Sequence, residues 1–301
     1  MIISNRISIY RLASGTWKHL VFNVTICCLT YLLYRFFPTE IEVPVLIPTI
    51  LGTALAFFIG FNNNQSYDRW WEARKIWGAL VNDSRSWARQ IIYFQHKVNE
   101  KEDINVETKT FIYRHIAFIY ALKQNLRNSK DGEYKKYISE NDLAFIKADS
   151  NKANALLTLQ TRDLNQIYSF NLIDGFKFLA LNKLLVNFCD EMGKSERIAN
   201  TVFPTTYNYY TRIFVWLFII LITLVTAKTI GAWSILAGTL VGYVFLTINK
   251  IGQSLLNPFE DIATGISLNQ ISRTIEINML ETMREDEIPE PLESVDGEYI
   301  M

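Results

Sequence analysis

The chain is poor in side chains that bind metals or attack substrates. Its 3 histidines, His19, His96 and His115, lie far apart in sequence, and its 3 cysteines, Cys27, Cys28 and Cys189, include an adjacent pair on one apolar run. Neither set has zinc-site spacing, and neighbouring cysteines seldom bridge. All three cysteines therefore read as reduced packing residues, and a metal enzyme has no ligand set. No glycine-rich phosphate loop, nucleophile elbow or pocketable carboxylate pair occurs, which removes the commoner catalytic devices. Net charge is missing too: 30 basic and 30 acidic side chains cancel, leaving no broad field for nucleic acid or an anionic surface. The composition excludes a nucleic-acid partner and gives no support to an enzyme.

Charge is also absent by position. None occurs from Leu20 to Tyr34 or from Val43 to Tyr67, and Ile213 to Asn249 holds only Lys228, followed by Gly231. The second run is long enough to cross a hydrocarbon core of about 30 Å at about 1.5 Å per residue, and the first is flanked by Trp17, Lys18 and Arg35, which can place their polar heads at the interfaces while their stems stay apolar. Gly231 divides the last run into two spans joined by a tight turn, which makes four crossings. The first run ends in Arg35-Phe36-Phe37-Pro38 rather than at a small-residue cleavage site, so it reads as a retained anchor. Mean hydropathy is only +0.09, so a large aqueous part must accompany the spans.

Basic residues fix the expected orientation. Arg6, Arg11 and Lys18 precede span one, Arg69, Arg74 and Lys75 follow span two, Arg212 precedes span three, and Lys250 follows span four. The opposite loops hold Arg35, Glu40, Glu42 and Lys228. Positive charge gathers on the cytoplasmic side, which puts both termini in the cytoplasm.

Residues 62–212 then form a cytoplasmic insertion. Apolar positions recur at helical spacing in Trp77-Leu80-Val81, Trp87-Ile91-Phe94 and Phe111-His115-Phe118-Leu122, and no run alternates like a half-buried strand, so the fold class is all-α. Exposed loops are expected at Asn128–Gly132 and Asp149–Asn154. After span four, Asn257-Pro258 breaks the helix and Leu268–Met283 resumes one. The chain divides into 1–61 (N-terminal segment and two spans), 62–212 (cytoplasmic helical domain, with the second helix continuing into it), 213–249 (spans three and four), 250–284 (helical segment) and 285–301 (flexible acidic tail). The acceptor patterns at Asn23 and Asn82 fall in a span and in the cytoplasmic body, where no glycan is expected.

The second span has two distinct stripes. Thr49, Thr53, Phe57 and Phe61 lie four apart and stack along one side, beside Gly52, Ala56 and Gly60. Small residues at this interval let membrane helices approach closely. If copies ring an axis, the small stripe seats each helix on its neighbour and the aromatic stripe faces a narrow apolar hole. Ordinary bundle core is the alternative, because periodicity does not reveal a hole. The polar stretch Asn62–Ser66 marks where the helix leaves the membrane for water.

Directly after this stripe comes Tyr67-Asp68-Arg69-Trp70-Trp71-Glu72-Ala73-Arg74-Lys75-Ile76-Trp77-Gly78. This resembles the Arg-Trp-Trp segment of the bestrophin family, and the Glu-Ala-Arg continuation resembles its bacterial branch. Three further stretches fit in order: Glu196–Pro204, Leu256-Asn257-Pro258-Phe259-Glu260, and Arg273–Asn278. The resemblance implies a homopentameric ion channel with a central pore and a helical cytoplasmic vestibule. It would lie in the bilayer, as a bacterial inner-membrane protein, and pass chloride or other monovalent anions. It places a hydrophobic neck on Thr53, Phe57 and Phe61, the first usually aliphatic in the family and here expected to wet its end of the neck. A cytoplasmic aperture falls on Phe203, before Pro204. Animal members bind calcium through an acidic cluster after Asn-Pro-Phe. Here only Glu260 and Asp261 follow, so that clasp is not supported and no cofactor is expected.

The remaining motifs have plainer readings. Trp70, Trp71, Trp77 and Trp87 suit interfacial anchoring and helix packing, while Asp68, Arg69, Glu72 and Lys75 suit helix-surface or intersubunit ion pairs. Two other functions stay open at this point: a cation-selective channel of the same architecture, and a non-conducting membrane-anchored sensor or scaffold.

Overall fold

In the computed structural model the described residues are 9–37, 43–94, 106–201, 205–294 and 299. Every regular element among them is helical: α1 (Ile9–Phe36), α2 (Leu46–Phe94), α3 (Val106–Arg127), a 3-10 turn (Glu133–Tyr137), α4 (Glu140–Lys147), α5 (Lys152–Ser169), α6 (Gly175–Asn200), α7 (Thr205–Ile230), α8 (Trp233–Ser254) and α9 (Leu268–Met283). They fall into two compact units. Of the described residues, one unit holds those in 9–70 and 205–256, and the other holds Trp71–Thr201 and those from Asn257 on. The 49-residue α2 supplies residues to both.

Among the described residues 4 helices are long and apolar enough to cross a membrane, Gly15–Phe36, Leu46–Phe94, Thr206–Ile230 and Trp233–Ser254, and the first unit holds three of them and the part of the second up to Trp70. The turn between α7 and α8 falls on Gly231, whose φ of 57° is the left-handed conformation a residue without Cβ takes freely. Cys27 of α1, Leu55 and Ile59 of α2, Val215, Phe218 and Ile219 of α7 and Leu246 of α8 make the shared core. Close approach of α8 depends on Gly238 and Gly242. A Cβ on the first would lie 2.2 Å from Thr223 Oγ1, and one on the second 2.7 Å from Asn23 Oδ1. Asn23 is fully buried and donates to the Thr239 carbonyl at 2.9 Å, so its amide is used between helices.

The polar stretch after Phe61 does more than enter water. Asn62 and Ser66 are fully buried. Asn62 Nδ2 reaches Asn208 Oδ1 of α7 at 3.4 Å, Asn63 Nδ2 donates to the Ile248 carbonyl of α8 at 3.0 Å, and Ser66 Oγ donates to the Asn62 carbonyl at 2.9 Å. These amides fasten α2 to its neighbours, because a buried amide without a partner is costly.

In the second unit α3 packs against α5, α6, α9 and the 3-10 turn. Trp77, Leu80, Trp87 and Ile91 of α2 are buried, as are Phe111, His115, Phe118 and Leu122 of α3, which is the helical spacing expected. Trp77 and Trp87 therefore pack inside this unit and anchor no interface. Arg114 is nearly buried and holds Asp142 through two hydrogen bonds of 2.8 and 2.7 Å, with Asp163 as a further partner.

Three expectations change in this unit. The loop after α4 is shorter than 149–154, because Asn151 caps α5 by accepting from the Asn154 amide at 3.1 Å and so draws Lys152–Asn154 into the helix. Cys189 is exposed on α6 instead of buried in a core; Cys27 alone is a fully buried thiol among the three. The tail is fastened at its first residue, where Glu285 pairs with Lys109 at 2.7 Å.

Candidate functional site

On α2 the side that packs inward is Leu55, Ile59, Asn62 and Ser66, each 2% exposed or less. At about 100° per residue, Thr53, Phe57 and Phe61 lie roughly on the opposite side of the helix. Phe57 is 72% exposed and Phe61 55%. The chain thus turns two phenyl rings away from its own core, and those rings are not bundle core within one subunit.

Thr53 is exposed, but its hydroxyl donates to the Thr49 carbonyl at 2.9 Å, and Thr49 does the same to Val45 at 2.8 Å. A hydroxyl turned back on its own helix offers outward its methyl group and acceptor lone pairs rather than a free proton.

The stripe of small residues divides. At Gly52 a Cβ would stand 2.8 Å from the Phe218 ring, so this glycine seats α2 on α7 within the chain. Ala56 is exposed, and at Gly60 a Cβ would meet nothing within 4 Å. Among the described residues nothing stands close to Gly60. Phe203 and Pro204 lie outside the described residues.

The family-like motifs meet one another in the second unit. Glu72 of the Arg-Trp-Trp segment pairs with Arg197 of the Glu196–Pro204 stretch at 2.5 Å, so its ionic partner is on α6 instead of on its own helix. Within the first unit Trp70 stacks on Tyr67 with ring centres 6.1 Å apart and Arg69 is half-buried; Trp71 belongs to the second unit and is 46% exposed.

The Asn-Pro-Phe turn is organised by a cation of the chain itself. Asn257 Oδ1 accepts from the Phe259 amide at 3.3 Å, the Pro258 carbonyl accepts from Ile266 at 2.7 Å, and Phe259 is fully buried. Arg127 of α3 then donates to the Phe259 carbonyl at 3.2 Å and to Asn269 Oδ1 at 2.9 Å, and it pairs with Asp261 at 2.9 Å. A carbonyl, an amide oxygen and a carboxylate are the oxygens a hard cation would use. A guanidinium holds them here, so these residues do not fit a calcium ion.

Two buried groups titrate abnormally, of which the sequence reading placed His115 on the buried face of its helix and missed Glu191. His115, fully buried, meets Ser84 Oγ at 2.9 Å through Nε2, and burial pushes its pKa down to about 3. Glu191 of α6 is 6% exposed, and its pKa is pushed up to about 8 by burial first and then by Asp83 and Asp190, against the opposing Lys194. The acidic residue at a core-facing position of α6 was the available signal. A second missed signal is Gly238-x-x-x-Gly242, a small-residue pair in span four.

Comparison with known proteins adds the family. The model described as Bacterial/Fungal Bestrophin protein matches residues 6–281. A voltage-dependent anion channel-forming protein of Nostoc sp. is 27% identical over 266 residues, spanning 86% of this chain and 85% of that protein. The voltage-dependent anion channel-forming protein YneE of Escherichia coli is 30% identical over 242 residues, spanning 80% and 77%. A solved bacterial bestrophin homologue from Klebsiella pneumoniae has the same fold, with a TM-score of 0.81 at 24% identity over 89% of this chain and 98% of that one. The molecule is therefore an all-helical integral membrane protein with four candidate spans. It belongs to the bestrophin family, in the bacterial and fungal branch.

Proposed function

We propose that the chain is one subunit of a homopentameric channel that passes monovalent anions such as chloride, with Thr53, Phe57 and Phe61 forming its apolar neck and Phe203 its cytoplasmic aperture. The observation that carries this reading is the pair of phenyl rings on α2 turned away from the subunit's core. In a ring of subunits such a stripe makes a constriction that gates by radius and wetting. Ala56 and Gly60, open within the chain, leave room for the next subunit's helix beside it. Anion selectivity draws on the positive edges of phenyl rings, which tolerate a partly dehydrated anion better than a cation. It agrees with relatives that are named for anion conduction. The basic residues near the starts of α1 and α7 and the end of α8 support a cytoplasmic position for both termini, and the bacterial relatives support an inner membrane.

The test is a planar bilayer recording under a chloride gradient, together with the mass of the detergent-solubilised protein. The reading expects five subunits, a reversal potential near the chloride equilibrium value, and a raised conductance in Phe57→Ala and Phe61→Ala. A shift toward the cation potential overturns the anion assignment. Unchanged conductance in both variants overturns the neck, and a monomer overturns the axial pore.

A further inference from the structure

The first unit carries a groove of about 510 Å³ lined by one face of each of three helices. Tyr209, Arg212 and Trp216 come from the start of α7, Asn249 and Lys250 from the end of α8, and His19 and Phe22 from the start of the first span. No residue of α2 lines it, so the groove is separate from the proposed neck. We propose that it binds the phosphodiester head of an anionic phospholipid.

Four observations define that ligand. The lining includes two permanent cations and a histidine but no carboxylate. In the first unit the acidic residues are Glu40, Glu42 and Asp68, none of them among the lining residues, so the cations keep their attraction for an external anion. Lys250 is held in place by donating from Nζ to the Gly15 carbonyl. Cationic grooves between membrane helices at the head-group level are sites where phosphate heads collect.

The walls below the cations are apolar. Phe22 meets Trp216 edge to face with ring centres 5.0 Å apart, and Leu246 is 7% exposed beneath them. A free inorganic anion has no use for such walls, whereas the glycerol and first methylenes of a lipid would bury against them. Asn249 is 4% exposed, and its Oδ1 has no hydrogen-bond partner among the described residues. A buried acceptor left unpaired is costly, so the site is completed by a donor. A head-group hydroxyl, as in phosphatidylglycerol, supplies one. The quaternary ammonium of phosphatidylcholine cannot donate and is repelled by Lys250.

The test uses the full chain, delipidated in detergent and titrated with phosphatidylglycerol or phosphatidylcholine of identical acyl chains. Bound lipid is counted by native mass spectrometry. The expected result is binding of phosphatidylglycerol tighter by about tenfold, from two cations near the head group. That preference is lost in the double variant Arg212→Gln/Lys250→Gln and kept in Lys18→Gln, a boundary cation outside the groove. Equal binding of the two lipids, or an undiminished preference in the double variant, overturns the proposal. So does thermal stabilisation by millimolar inorganic phosphate equal to that by phosphatidylglycerol, which would make the ligand a free anion. Should the double variant fail to fold, a photoreactive phosphatidylglycerol with its label on the first methylenes is applied to the unaltered protein. Labelling of Phe22 or Trp216 supports the site, and labelling elsewhere alone overturns it.

Discussion

Glu191 and His115 titrate in opposite senses, and the sign of each follows from its burial. The carboxyl, raised to about 8, holds its proton in the folded chain while the unfolded chain releases it near 4.5. Folding therefore binds more protons between those values, and stability falls as pH climbs through them. The imidazole, lowered to about 3 from 6.5, gives stability that is complete above 6.5 and is lost as pH falls toward 3. Between pH 6.5 and 8 the imidazole is nearly spent, and the fall in stability through that window follows the carboxyl. We expect the melting temperature to drop across that window and the slope to flatten in Glu191→Gln, with the variant the more stable at pH 8. An unchanged slope in the variant, read by thermal denaturation in detergent, would mean that Glu191 is charged in the folded protein.

At the level of helices, α8 packs closely through Gly238 and Gly242, whereas on α2 Gly52 is close-packed and Gly60 is open. A Cβ at Gly242 would meet Asn23 and Ile219 within 2.8 Å, whereas one at Gly60 meets nothing within 4 Å. Gly242→Val is expected to destabilise the chain by about 1–3 kcal/mol through overpacking. Gly60→Ala should leave the fold of the single chain intact, and loss of pentamers alone in that variant would locate Gly60 at the contact between subunits. Size-exclusion and circular dichroism distinguish the two results.

Much of this layer was legible in the sequence. Charge-free runs revealed the spans, and the 3.6-residue period located Trp77, Trp87, Phe111 and Phe118 in the interior, because burial leaves a direct pattern. Exchanges between helices leave none. The role of Asn62 depends on Asn208, which lies 146 residues away. Likewise, Glu72 has three close sequence neighbours of plausible charge but pairs with the distant Arg197. A cap at Asn151 was readable in principle, yet a polar stretch reads equally as a loop until the helix it starts is seen.

For the whole molecule, the aromatic stripe supports the proposed assembly, in which Phe57 and Phe61, both turned away from the chain's own core, would face the axis. The Asn-Pro-Phe turn bears on how such an assembly would be controlled. Adding or chelating calcium is expected to leave currents unchanged in planar bilayers. A dependence on calcium comparable to that of a dedicated sensor would contradict the role given to Arg127.

That arginine has a broader consequence. A bound ion comes and goes with its concentration, so a turn held by one reports on the surroundings. Arg127 is tethered to α3 by covalent bonds and keeps its charge at any physiological pH, so its occupancy of the turn cannot be diluted. A turn built this way does not follow the concentration of any ion.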